Sequence, residues 1–180
     1  MIVLMGGQGV GKGTFARMLA EQHEYKYIET GKMLRDAATT NHAIANIMSR
    51  GELLSFDMLI KLVADNIDIN RDLLLDGFPR TLDQAKWLVQ NYADKFNIHI
   101  LYLNVPEETM IQRIQKRIRD GGGRTDDTDT AAIRRRLDIF RDETMPAINW
   151  LRTIPKIKFS DIDVTGPVDK NFNNILAALK

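Results

Sequence analysis

The chain of 180 residues is 44% hydrophobic and 27% charged, proportions that suit a folding globular protein and exclude a disordered one. Its 25 Lys and Arg almost cancel 24 Asp and Glu, for a net charge of +1, so bulk attraction to nucleic acid or acidic membranes is excluded and any important charge is local. The length suits one domain over residues 1–180, and the lack of cysteine removes disulfides, thiolate catalysis and cysteine-built zinc sites.

In chain order, the apolar run at residues 2 to 5 predicts a buried strand. The stretch GGQGVGKGT follows at 6 to 14, and a helix is predicted from 14 to 23. A second strand is expected at 25 to 28. Residues 31 to 67 then hold two or three helices, more than a single crossover needs, with Phe56, Leu59, Ile60 and Val63 on one stripe of the last. The third strand, at 73 to 75, runs into Asp76, a Gly-Phe-Pro turn and a helix from 81 to 92. Strands at 98 to 105 and 157 to 164 flank a polar, glycine-rich segment at 119 to 130 that suits a mobile flap. Near-continuous apolar strands alternating with helices predict a parallel sheet covered on both faces, with ligands at its carboxyl ends.

Residues 6 to 12 fit G-x-x-x-x-G-K between a strand and a helix, the context that gives this motif its weight. Bare glycines let backbone N–H groups converge on phosphate oxygens, and the positive end of the following helix adds to them. Lys12 supplies a point charge for the outer phosphates. The generic motif places Ser or Thr directly after the lysine to hold Mg²⁺, whereas here Gly13 precedes Thr14. A competing pattern, G-x-G-x-x-A at Gly11, Gly13 and Ala16 with Glu29 as a ribose-binding acid, would mark a dinucleotide site. It leaves five residues between strand and first glycine and gives Lys12 no task. Asp76, at a strand end, suits a carboxylate that orients Mg²⁺ through water, and Gly77 and Pro79 would turn Arg80 back across the strand ends. The blander alternatives are a turn cap for Asp76, a surface ion pair for Arg80, and a capping box for Thr81 and Gln84.

Four stretches carry a family resemblance: residues 6–14, Thr30-Gly31 with Met33-Leu34-Arg35, Asp76-Gly77-Phe78-Pro79-Arg80-Thr81 with Gln84-Ala85, and Gly123-Arg124 with Asp126-Asp127. In this order they resemble the motifs of adenylate kinases, within the nucleoside monophosphate kinase family, over almost the whole chain. The resemblance implies a phosphate-loop α/β fold with a five-stranded parallel core (1–29, 68–117 and 129–180). A helical monophosphate-binding insert is implied at about 30–60, and a short lid without structural zinc at about 118–128.

Carried onto matching positions, the resemblance implies that ATP lies on Gly9, Val10, Gly11, Lys12, Gly13, Thr14 and Arg117, with Arg113 packed on its base. AMP would meet Thr30, Arg35, Gly77, Arg80, Gln84, Arg124 and Arg136, with Gln84 reading the base edge. Lys12, Arg80, Arg117, Arg124 and Arg136 would serve the transferring phosphoryl group, and Asp76 the Mg²⁺. Arg135 is the fallback for Arg136, and at least one of Arg134, Arg135 and Arg136 should face solvent. Where the family usually has Pro and Asp, this chain has Gln8 and Lys32; Lys32 is expected to add positive charge beside the monophosphate pocket.

The implied reaction is ATP + AMP ⇌ 2 ADP with Mg²⁺. The alternative is a UMP/CMP kinase, which Thr30 and Gln84 disfavour; a phosphate-loop switch or a degenerate binding module stands further off. ATP, AMP and ADP are the implied partners, with neither nucleic acid nor membrane. No apolar run approaches the ~18 residues of a membrane span, and no signal-peptide pattern opens the chain. The expectation is therefore a soluble, cytoplasmic protein. A monomer is expected because no apolar stripe exceeds core needs. His23, His42 and His99 lack metal-ligand spacing.

Overall fold

The computed structural model describes residues 1–121 and 130–180. Five parallel strands form its centre: β1 (Ile2–Met5), β2 (Lys26–Glu29), β3 (Leu73–Asp76), β4 (His99–Asn104) and β5 (Lys158–Asp163), in the order β2-β3-β1-β4-β5. Because side chains alternate across a strand, each central strand feeds two cores. Val3, Met5, Leu73, Leu75, Ile100 and Tyr102 enter one, while Ile2, Leu4, Leu74, Leu101 and Leu103 enter the other. That is why these strands read as unbroken apolar runs.

Helices α1 (Lys12–Gln22), α6 (Glu107–Arg119) and α9 (Val168–Leu179) close the second core through Phe15, Leu19, Met110, Phe172 and Ile175. On the opposite face, α4 (Phe56–Ala64), α5 (Leu82–Tyr92) and α8 (Met145–Arg152) bring Leu59, Val63, Leu88, Ile148 and Leu151. Between β2 and β3 the extra chain forms α2 (Thr30–Ala38), α3 (His42–Ser49) and α4, three helices as the upper expectation had it. From β1 the chain crosses to β2 at one edge, returns through β3 beside β1 and then passes to β4 on the other side of β1, so the strand order reverses at β1. A crevice opens beyond the carboxyl end of such a strand, and there the glycine loop sits.

Three expectations change. The second strand runs one residue further than predicted, to Glu29, because that residue pairs in register with Asp76 of β3. Phe56, placed on the buried stripe of α4, is 39% exposed, whereas Leu59 and Val63 are buried. Between α7 (Thr130–Ile139) and α8 the helical path widens into a single π turn, Phe140–Thr144, which periodicity did not signal. Residues 122–128 of the expected lid lie outside the described residues, and Arg124 with them.

Candidate active site

Helix α1 begins at Lys12 with Gly11 as its N-cap in the left-handed region; no side chain caps it and its first turn holds no acid. The positive end of its dipole therefore faces the crevice. Gly9 shows why the loop is bare: its φ is +85°, and a Cβ there would lie 2.6 Å from the carbonyl oxygen of Met110. Val10 anchors the loop by burying its side chain in the core. The Lys12 ammonium donates to the carbonyls of Gly6 (2.7 Å) and Gly7 (2.9 Å), folded along the loop it serves. Thr14 lies on the cavity wall one position past Gly13, where a Cβ would be 3.7 Å from Asp76 Oδ2. Gly13 thus brings the start of α1 into contact range of the carboxylate that ends β3.

Asp76 and Glu29 end adjacent strands as register partners. The Tyr27 hydroxyl lies between them, 3.2 Å from Asp76 Oδ2 and 3.4 Å from Glu29 Oε2. Burial pushes the Asp76 carboxyl above its ordinary range, and Glu29 adds to this, against the opposing pull of Lys12, Arg80 and the Tyr27 hydrogen bond. Tyr27 is itself raised, by burial first and then by the two carboxylates. Such a carboxylate suits a cation. Among the described residues no three His, Asp or Glu group as a metal centre. So small a set of carboxylates suits an ion that arrives on a triphosphate and keeps most of its water.

Thr30, the first residue of α2, is buried on the cavity wall with its Oγ1 lacking a hydrogen-bond partner. Arg35, on the same helix, donates from Nη2 to Glu29 Oε1 at 2.7 Å. Arg80 donates from Nε to Gly77 O at 2.8 Å, so the turn after β3 does send this side chain back along the strand ends. The π turn holds the Arg80 backbone: buried Thr144 donates through Oγ1 to the main-chain Arg80 O at 2.8 Å.

Gln84 is buried but is not on the cavity wall. Its Oε1 accepts from Arg80 N at 2.7 Å, and its own N–H donates to Thr81 Oγ1 at 3.3 Å. Its side chain serves backbone at the start of α5, close to the capping alternative.

Arg113 donates to Val10 O (3.2 Å) and Val164 O (2.7 Å), which fixes it between the loop and the end of β5. Arg117, one turn on, lines the same cavity. Of the three consecutive arginines on α7, Arg136 reaches the cavity and approaches Met48 O at 3.5 Å, whereas Arg135 pairs with Glu52 on the outside (3.2 Å) and Arg134 is exposed. Lys32 departs from expectation: it forms an exposed i,i+4 pair with Asp36 and is absent from the cavity wall, because its position on α2 points it to solvent.

One continuous cavity of about 670 Å³ unites the loop, both strand-end carboxylates, Thr30, and Arg35, Arg80, Arg113, Arg117 and Arg136. Residues 4–155 match the family model for adenylate kinase. The chain is 36% identical over 169 residues to an adenylate kinase of Prochlorococcus marinus, with 90% of each chain covered. It is 32% identical over 184 residues to one from Thermus thermophilus, covering 99% of this chain and 96% of the relative. To one from Parvibaculum lavamentivorans it is 34% identical over 185 residues, covering 93% and 89%. This chain belongs to the adenylate kinase family.

Membership disposes of the dinucleotide pattern, and the geometry agrees: the Glu29 carboxylate meets Arg35 rather than standing open to a ribose. Within an adenylate kinase fold, sequence reasoning overlooked Tyr27, Glu29 as an ion-pair partner, and Thr144. Tyr27 and Glu29 alternate with Ile28 at a strand end, a pattern that could have placed both on one face. Thr144 had no such signal, since its position depends on the π turn.

Proposed function

We propose that the cavity holds Mg·ATP against the glycine loop and AMP against α2 and Arg80, and that it interconverts ATP and AMP with two ADP. The observation that carries this reading is the convergence, in one cavity of an adenylate kinase family member, of a lysine-bearing phosphate loop and five arginines drawn from α2, α6, α7 and the turn after β3. Two polyanions repel one another, so bringing them into contact needs concentrated positive charge in a site that excludes water.

The reading assigns Lys12 and the loop amides to the β- and γ-phosphates of ATP, with Arg113 beside its base. Arg35 and Arg80 take the AMP phosphate, and Arg117 and Arg136 steady the group in flight. Arg124 is assigned with them from its sequence position alone. Mg²⁺, arriving with ATP and oriented by Asp76 through water, would neutralise charge that develops on the phosphate oxygens. Proximity and alignment supply the rest of the rate, and no general base is required. A monomeric, cytoplasmic enzyme with the core, insert and lid divisions stated above completes the proposal.

A UMP/CMP kinase is the second reading, and one observation favours it: Gln84 stands behind the wall, which leaves Thr30 as the discriminating group nearer an acceptor base. A coupled assay at millimolar Mg·ATP, with AMP, dAMP, CMP and UMP compared as acceptors, decides. AMP should exceed the pyrimidine nucleotides by ~10²-fold in kcat/KM. Absence of AMP phosphorylation would reject the proposal, and equal use of CMP or UMP would transfer it to the second reading.

A further inference from the structure

The corner assigned to the monophosphate already contains an anion. Glu29 occupies the N-cap position of α2, yet its side chain makes no cap hydrogen bond. An acid there would ordinarily turn to the free N–H groups of the first turn. Instead it reaches six residues along to Arg35, at 2.7 Å, with the two side chains only 16% and 27% exposed. The first-turn residues Thr30 and Gly31 are left on the cavity wall without a side-chain cap. A Cβ on Gly31 would sit 3.2 Å from Arg35 Nη1, and one on Gly77 would sit 3.1 Å from Arg80 Nη2. Two guanidinium groups and an uncapped helix start thus frame one anion receptor, and Glu29 lies on its rim.

We infer that Glu29 is a resident competitor for Arg35 that sets how tightly the acceptor phosphate is held. This rests on the proposed placement of AMP at Arg35. A phosphate dianion entering the corner must share Arg35 with a carboxylate or displace it, and either costs affinity through like-charge repulsion in a partly desolvated site. The carboxylate also keeps the guanidinium directed into the cavity while no phosphate is there, and Tyr27 steadies it from the other side at 3.4 Å. Loose binding of the acceptor, and of the diphosphate formed from it, favours turnover where product release limits the rate.

Glu29→Gln keeps the size and removes the charge. Calorimetric titration of this variant with AMP should show Kd lowered by roughly 3- to 10-fold relative to the wild type. Kd for adenosine, which has no phosphate, and KM for Mg·ATP should stay within about twofold. In steady state the gain in kcat/KM for AMP should come through a lowered KM. Should the Gln variant fail to fold, Glu29→Ala carries the same expectations. Unchanged or weaker AMP binding in a folded variant would overturn the inference, as would adenosine tightening as much as AMP. Failure of wild-type protein to bind or phosphorylate AMP is a separate result, which removes the underlying reading itself.

Discussion

At the scale of single residues, the site is governed by buried charge that lacks a full complement. Asp76 carries the clearest consequence. Its carboxyl is raised above the ordinary range by burial, so folding disfavours the charged form of this group relative to the uncharged one. Asp76→Asn should therefore stabilise the nucleotide-free protein by several degrees in thermal midpoint. The same change should lower Mg²⁺-dependent kcat by about 10-fold or more. Scanning calorimetry with a coupled assay checks both, and a variant that is no more stable yet fully active would remove Asp76 from the metal side of the site. The place of Asp76 on the crevice wall was legible from a carboxylate ending an apolar run, as was that of Lys12 from its glycine context. Lys32 was misjudged because sequence gives no helical phase relative to a pocket, and its pair with Asp36 is settled only once α2 is placed.

Among elements, the helical insert and α7 meet more closely than periodicity alone implied. Gly51, in the turn between α3 and α4, has φ +71°, and a Cβ there would lie 2.7 Å from the carbonyl oxygen of Ala132 on α7. The neighbouring atoms are all backbone, so nothing can rotate out of the way. Gly51→Ala should cost ~1 kcal/mol from the left-handed conformation alone, with more from pushing the turn off α7. Since Gly51, Glu52 and Leu54 line the cavity, KM for the acceptor should rise several-fold while KM for Mg·ATP changes little. Initial-rate measurements with each nucleotide varied test this, and equal effects on both would assign the contact to general stability. The same packing selects among the three arginines of α7. Helical geometry turns Arg136 inward and Arg135 toward Glu52, a choice that a run of identical side chains leaves open.

Over the whole molecule, the parallel sheet fixes one long-range pH response. His99 on β4 is buried, with Nε2 2.9 Å from Ser160 Oγ on β5. Burial first, then the nearby Lys158 and N-terminal ammonium, lowers its pKa from 6.5 to about 4. The folded state thus resists a proton that the unfolded chain accepts, so stability present above pH 6.5 is lost as pH falls through the window down to about 4. The loss should be on the order of 1–2 kcal/mol between pH 7 and 4.5. Thermal unfolding across that range, for wild type and His99→Gln, should show the variant with the shallower slope; parallel slopes would assign the response to other groups.

What the sequence determined by itself was the order of strands and helices, the glycine loop between the first two, and the unbroken apolar runs that feed both faces of the sheet. Each rests on local physics: a strand buried on both faces must be apolar throughout, and a backbone that receives phosphate must be bare. Only the tertiary structure decided which side chains share the crevice. The Glu29–Arg35 pair, the Tyr27 bridge between two carboxylates and the Thr144 prop under Arg80 join residues from separate elements. Their distances follow from strand register, helical phase and one π turn. None of these is a property of a short stretch of chain, because each is fixed by how whole elements pack.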